Sequence, residues 1–204
     1  MAGRFISFEG GEGSGKSTQA RLLANGLRDS GQAVVLTREP GGTDGAEAIR
    51  ALLVTGNPDR WSPWAEACLV NAARADHVER VVRPALARGD WVICDRFVDS
   101  TRAYQGAGKG LADADLCALH RQATGDLWPA MTIVLDLAAN VGLRRAAARR
   151  DSEGRFEAHS GDFHARVAAF FARLPVNEPD RCHSFDGDLP VKTLAAEIAS
   201  LVHR

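Results

Sequence analysis

The segment Gly10-Gly11-Glu12-Gly13-Ser14-Gly15-Lys16-Ser17 is where residue types and spacing speak most directly of chemistry. Its glycines let backbone N–H groups converge on anionic oxygens without side-chain obstruction, and Lys16 brings an ammonium to the same place. The spacing is that of the G-x-x-x-x-G-K-[ST] phosphate-binding loop, in which the lysine reaches the outer phosphates of a nucleoside triphosphate and the hydroxyl of Ser17 takes Mg²⁺. An apolar run precedes it and a helical pattern follows, so the helix N-terminus would point its positive end at the same anion. Residues Gly10, Gly11, Glu12, Gly13, Ser14, Gly15, Lys16, Ser17 and Thr18 are therefore the expected ATP contacts. Lysine occurs elsewhere only at Lys109 and Lys192, so a chain that otherwise uses arginine keeps an ammonium here.

A phosphate-bound Mg²⁺ calls for a carboxylate at the ligand edge of the sheet. Asp95 closes the apolar run Trp91-Val92-Ile93-Cys94 and is favoured over Asp136, which follows Ile133-Val134-Leu135 and reads better as a strand-end or capping carboxylate. Arg96 comes next, where a water-activating ATPase would place a second carboxylate, and no N-K-x-D base-reading motif of a GTPase occurs. Transfer to another phosphate fits better. Such an acceptor has a second pKa near 6 and needs no general base at neutral pH; it needs cationic forks between two anions. Arg38, at the end of a strand and before the bend Pro40-Gly41-Gly42, and Arg96, after Asp95, stand where such forks are required. Arg74, set among Ala72, Ala73 and Ala75, has room to face a pocket.

These groups must be held by elements that the apolar pattern outlines. Short runs at 5–8, 33–37, 91–94, 131–135 and, more weakly, 182–185 alternate with helical stretches at 17–28, 65–86, 111–123, 141–148, 163–171 and 194–202, with Pro84 expected to bend or end the second. That alternation predicts an α/β fold: one domain over residues 1–204, a three-layer, doubly wound, five-stranded parallel sheet with helices on both faces. Residues 149–162 are charged, contain Gly154 and Gly161, and separate two helices, which describes a mobile lid.

Composition narrows the class further. The 25 basic and 26 acidic side chains leave a net charge of −1, so there is no global pull toward a nucleic acid polymer. No apolar run of membrane-spanning length occurs. Cys68, Cys94, Cys117 and Cys182 lie far apart, without a CxxC pair, and free thiols fit the cytosol. A cytoplasmic protein is expected.

Taken together, the segment Phe8 to Thr18, the run Thr37-Arg38-Glu39-Pro40-Gly41-Gly42-Thr43, Asp95-Arg96-Phe97 and Ser100-Thr101-Arg102-Ala103-Tyr104-Gln105-Gly106 resemble the bacterial thymidylate kinases, a family of P-loop nucleoside monophosphate kinases, in order and spacing over essentially the whole chain. The resemblance implies transfer of the γ-phosphate of ATP to dTMP, giving dTDP and ADP, with Mg²⁺ required and a homodimer joined through helices. Another nucleotide or deoxynucleoside as acceptor is the alternative. It implies that Glu12 faces the acceptor sugar, Arg96 binds the acceptor phosphate and Arg74 reads the thymine ring. Ser100, Thr101, Tyr104 and Gln105 would line the sugar and base pocket, with Glu39 and Arg50 nearby; a bulky Tyr104 against the sugar would leave a 2′-hydroxyl no space.

Members with glycine at the position of Gly13 supply the catalytic positive charge from the lid, which makes Arg149, Arg150 and Arg155 candidates for stabilising the transferring phosphoryl group. One departure stands out. Family members commonly stack a phenylalanine on thymine four residues before the base-reading arginine, where this chain has Val70. Trp61 and Trp64 read as core or interface residues.

Overall fold

The computed structural model describes residues 4–148 and 154–203. Five strands, β1 (Phe5–Glu9), β2 (Val34–Arg38), β3 (Trp91–Asp95), β4 (Met131–Asp136) and β5 (Cys182–Asp186), form one parallel sheet in the order β2-β3-β1-β4-β5. β1 sits at the centre, with Phe8 level with Asp95 of β3 and with Ile133 of β4. The chain winds to one side of β1 first and to the other side later, so the loops after β1 and β3 open at the switch point, where open α/β sheets bind ligands.

Alternation along β1 divides the core. Ile6 and Phe8 pack with Ala20, Leu23, Ala24 and Leu27 of α1 (Lys16–Asp29) and with Leu194, Ile198 and Val202 of α9 (Val191–Val202). Phe5 faces the other layer, where Val78, Val82 and Ala85 lie against Val92, Cys94 and Phe97. On the same side Val134 and Cys182 pack against Phe163, Val167, Phe171 and Leu174 of α8 (Gly161–Asn177). The expected three layers and strand order of a doubly wound sheet are thus present.

Local signals mark some of the helix starts. Ser62 caps α3 (Pro63–His77) by accepting from the Ala65 N–H, with Pro63 where a missing N–H costs nothing, and Ser160 caps α8 through the Phe163 N–H. The helical run continues through a π-helical turn at Val78–Val82 into α4 (Arg83–Ala87), so Pro84 is absorbed within the run and the helix goes on past it. A helix absent from the sequence outline, α2 (Asp44–Val54), follows the Gly41-Gly42 bend, capped by Thr43 on the Ala46 N–H. The remaining helices are α5 (Val98–Thr101), running into a second π-helical turn at Arg102–Gly108, then α6 (Asp113–Thr124) and α7 (Ala139–Ala147). Among the described residues, no helix is long and apolar enough to cross a membrane.

Candidate active site

The loop between β1 and α1 owes its shape to backbone that only glycine adopts freely. Gly10, Gly13 and Gly15 all have positive φ, and a Cβ on Gly13 would come within 2.0 Å of the Gly142 carbonyl oxygen in α7. Gly13 is therefore obligatory on two counts, conformation and space. Gly142 is its counterpart, since a Cβ there would meet the Glu12 carbonyl at 2.1 Å. Inside the loop Lys16 Nζ donates to the Gly11 carbonyl at 2.6 Å and to Ser14 Oγ at 3.1 Å. Burial and the neighbouring Arg96 push its pKa down to about 8, against the pull of Glu12 and Asp95.

The loop floors a cleft of about 260 Å³ whose walls come from β2, α2, α3, β3, α5 and the π-helical turn that follows it. Ser17 Oγ donates to Asp95 Oδ2, while Asp95 Oδ1 is buried with no hydrogen-bond partner. A buried carboxylate oxygen left over beside a hydroxyl is what a hard cation would use. Mg²⁺ is such a cation, an ion that takes most of its shell from phosphates and water and needs only one or two protein ligands. Asp136 is exposed at the end of β4 and is absent from the cleft wall, so Asp95 is the better placed of the two sequence candidates.

Arg96 occupies the centre. Its backbone has φ 69°, an uncommon conformation for a non-glycine residue, held in part by its N–H bond to the Phe8 carbonyl at 2.9 Å. The guanidinium donates to Glu12 at 3.1 Å, the Gly10 carbonyl at 3.3 Å and Ser100 Oγ at 3.2 Å, and lies 5.1 Å from the centroid of Tyr104. Burial works to raise the Glu12 pKa, but Arg96, Lys16 and the Tyr104 hydroxyl, which donates at 2.8 Å, outweigh it and hold the carboxyl at about 2. Glu12 is ionised at any working pH. Glu9, fully buried, accepts from the Phe97 N–H at 2.7 Å and Ser100 Oγ at 2.6 Å, anchoring the turn that aims Arg96; burial and Asp99 push it up to about 7.

Arg74, 1% exposed, reaches the cleft from α3. Its guanidinium donates to Glu39 at 2.7 Å, Thr101 Oγ1 at 2.9 Å and the Phe97 carbonyl at 3.1 Å, and rests on the Phe97 ring at 5.0 Å. Glu39 also meets His77 Nδ1 at 2.9 Å, and His77 Nε2 meets Thr37 Oγ1 at 2.8 Å, so the turn after β2 and helix α3 are locked together around one arginine. Arg38, bonded to Glu47, and Arg50, bonded to the Pro40 carbonyl, line the same cleft, as do Ser100, Thr101, Tyr104 and Gln105. The π-helical turn carries Tyr104 and Gln105 to the wall, a geometry often met at functional sites.

Some sequence candidates lie elsewhere. Gly10 and Gly11 shape the loop and Thr18 sits in the first turn of α1, but none of the three lines the cleft. Trp61 donates its indole N–H to the Leu52 carbonyl, and Trp64 is 45% exposed; neither lines the cleft. Arg149 and Arg150 fall outside the described residues. Arg155 departs from the lid expectation: 2% exposed, it donates to the carbonyls of Asn57 at 2.9 Å, Leu53 at 2.9 Å and Pro58 at 2.6 Å, and pairs with Glu66 at 2.5 Å. A guanidinium committed to three carbonyls and a buried carboxylate is not directed at a phosphoryl group. The charged composition of 149–162 gave no sign of this, because the partners come from the end of α2, from the segment that follows it and from α3. Phe156 and Glu157, not singled out from sequence, do line the cleft.

A family model described as thymidylate kinase matches residues 8–198, nearly the whole chain. The chain belongs to the thymidylate kinase family. Thymidylate kinase of Caulobacter vibrioides is 53% identical over 200 residues, covering 98% of this chain and 96% of that protein, and the one from Dinoroseobacter shibae is 52% identical over 196 residues, covering 96% and 94%. The crystal structure of thymidylate kinase from Ehrlichia chaffeensis matches with a TM-score of 0.79 at 31% identity, covering 99% of both chains. As a thymidylate kinase the chain is an ATP-dependent nucleoside monophosphate kinase, and its cleft brings together the glycine loop with Lys16, the Asp95 carboxylate and the arginines Arg38, Arg50, Arg74 and Arg96.

Proposed function

We propose that this chain transfers the γ-phosphoryl group of ATP to the 5′-phosphate of dTMP, forming dTDP and ADP. The supporting observation is that Arg96 lies between the glycine loop and the Arg74 end of a single cleft, within bonding distance of Glu12 and Ser100. In this reading the loop amides and Lys16 hold the donor polyphosphate, and Ser17 with Asp95 holds Mg²⁺, which neutralises developing charge on the phosphates. Arg96 and Arg38 take the acceptor phosphate, Glu12 and Tyr104 face the sugar, and Arg74, Thr101 and Gln105 take the polar edge of the base, with Ser100, Glu39 and Arg50 bracing the same wall. No proton need be removed from the attacking phosphate oxygen, so positioning and charge do the work. The additional positive charge on the transferring group would come from Arg149 or Arg150, the lid candidates that remain once Arg155 is set aside. Mg²⁺ dependence, a cytoplasmic location and a homodimer in which α3 takes part complete the reading; exposed Trp64 on α3 and Leu52 on α2 are what such pairing would cover.

Acceptor-dependent release of ADP tests it. With MgATP, dTMP should be turned over in preference to dCMP, GMP and thymidine, and Lys16→Ala should abolish turnover while leaving the circular dichroism spectrum unchanged. Preference for another acceptor, or near-normal turnover in Lys16→Ala, overturns the assignment.

A further inference from the structure

A pyrimidine base offers its pocket a polar edge and two π faces, and the cleft assigns groups only to the edge until its rings are considered. Three aromatic side chains line it: Phe97, Tyr104 and Phe156. Phe97 is fully buried, with Phe5 and His120 edge-on and Arg74 against it, and so has no surface to give. Tyr104 is nearly buried, its hydroxyl bonded to Glu12 and Arg96 against its ring. Phe156 is half-buried, packs on the Leu53, Val54 and Val70 cluster and meets Tyr104 edge-on at 5.7 Å. Val70 lies one helical turn before Arg74, so the apolar wall that Phe156 completes stands next to the arginine that takes the base edge.

Phe156 is not left to the mobility of a surface loop. Arg155 lies against its ring at 5.2 Å and binds the Leu53 carbonyl at the end of α2; the Arg155 backbone N–H bonds the Val54 carbonyl at 3.3 Å. Glu66, which Arg155 meets, also accepts from Gln105 at 2.8 Å and Lys109 at 3.0 Å. The Arg155–Phe156 segment, the α2–α3 pair and the Gln105 wall therefore share one fully buried carboxylate.

On the basis of the acceptor reading above, we propose that Phe156 is the residue that stacks on the acceptor base, doing from the segment before α8 what Val70 is too small to do from α3, and that Arg155 is a positioning residue which latches it there through Glu66. Loss of a stacked ring weakens binding by roughly fivefold to a hundredfold. Steady-state kinetics and calorimetric titration of dTMP test both parts. Phe156→Ala should raise the KM and Kd for dTMP about tenfold or more with the KM for ATP unchanged. Phe156→Tyr should stay near wild type, and Val70→Phe placed in the Phe156→Ala background should recover most of the lost affinity by restoring a ring to the same wall. Arg155→Met should raise the KM for dTMP and leave kcat within about threefold. Unchanged dTMP affinity in Phe156→Ala refutes the stacking role, and a fall in kcat alone in Arg155→Met refutes the latch in favour of a role at the phosphoryl group. Failure of the wild-type enzyme to use dTMP would sink the acceptor reading itself, a different result from either.

Discussion

At the scale of single residues, the glycine loop and the Arg74 clamp make the sharpest demands. Gly13→Ala would drive a methyl group into the Gly142 carbonyl from a backbone already at φ 67°, so the loop or α7 must shift. We expect a stability loss of about 1–3 kcal/mol by urea denaturation and a large fall in kcat, because the displaced groups are the amides of the phosphate loop. Gly11→Ala, with nothing within 4 Å of the added carbon, is the control and should be far milder in stability. Glu39→Gln leaves Arg74 buried beside a neutral partner; breaking such a pair typically costs about 3–5 kcal/mol. The same variant should raise the KM for dTMP, since nothing else draws the Arg74 Nε into place. Loop, strand-end aspartate and central arginine were legible because each is a local pattern with a fixed offset. Glu9, Glu66 and His77 were not, because each acts through a partner 38 to 91 positions away that only the fold supplies: Ser100 for Glu9, Gln105 for Glu66 and Glu39 or Thr37 for His77, at separations of 91, 39, 38 and 40.

Elements were readable where apolar period and length agreed. All five strands lie within a residue of where the pattern put them, and the long helices overlap their outlines, although α8 runs on to Asn177, six residues past the expected end, and α9 starts three residues early at Val191. Helix α2 escaped because the Pro40-Gly41-Gly42 bend hid its start, although Thr43 caps it and Asp44 and Glu47 favour its N-terminus. Pro84 does not end the run at once: the helix continues to Ala87, and the preceding π-helical turn at Val78–Val82 already widens the backbone bonding where the proline N–H is missing. Helix α6 carries a testable consequence. His120 is buried between Phe97 and Trp128 and bonds the Leu127 carbonyl at 2.9 Å; burial first, then Arg74, push its pKa down to about 4, although that carbonyl, Glu39 and Asp99 pull the other way. The folded imidazole stays neutral while the unfolded chain takes a proton near 6.5, so stability is complete above that pH and is lost as pH falls from 6.5 toward 4. Urea midpoints should drop between pH 7.5 and 5, by up to about 2 kcal/mol from this group. His120→Gln, less stable at neutral pH, should show a shallower decline; an equal decline would remove His120 as its source.

At the scale of the whole molecule, this architecture leads us to expect unfolding as one cooperative body. Strand β1 is paired on both sides, and the clusters on the two faces of the sheet share its alternate residues, so no strand can leave without exposing both cores. The cleft crosses the switch point of that sheet, with walls from elements before and after β3, and a ligand seated in it touches residues from the first and second halves of the chain. A molecule that binds only the assembled cleft stabilises the fold by mass action, about 2.7 kcal/mol at a hundredfold excess over Kd. For a chain of this size that is a rise in Tm of roughly 5–10 °C. Calorimetry should therefore show a single transition that moves upward as a whole with dTMP. A domain boundary hidden within the chain would instead leave one transition fixed while another shifted. Lys16→Ala should retain the dTMP-dependent rise while losing the rise caused by MgATP, because Lys16 belongs to the loop at one end of the cleft and Arg74, with its partners Glu39 and Thr101, to the other.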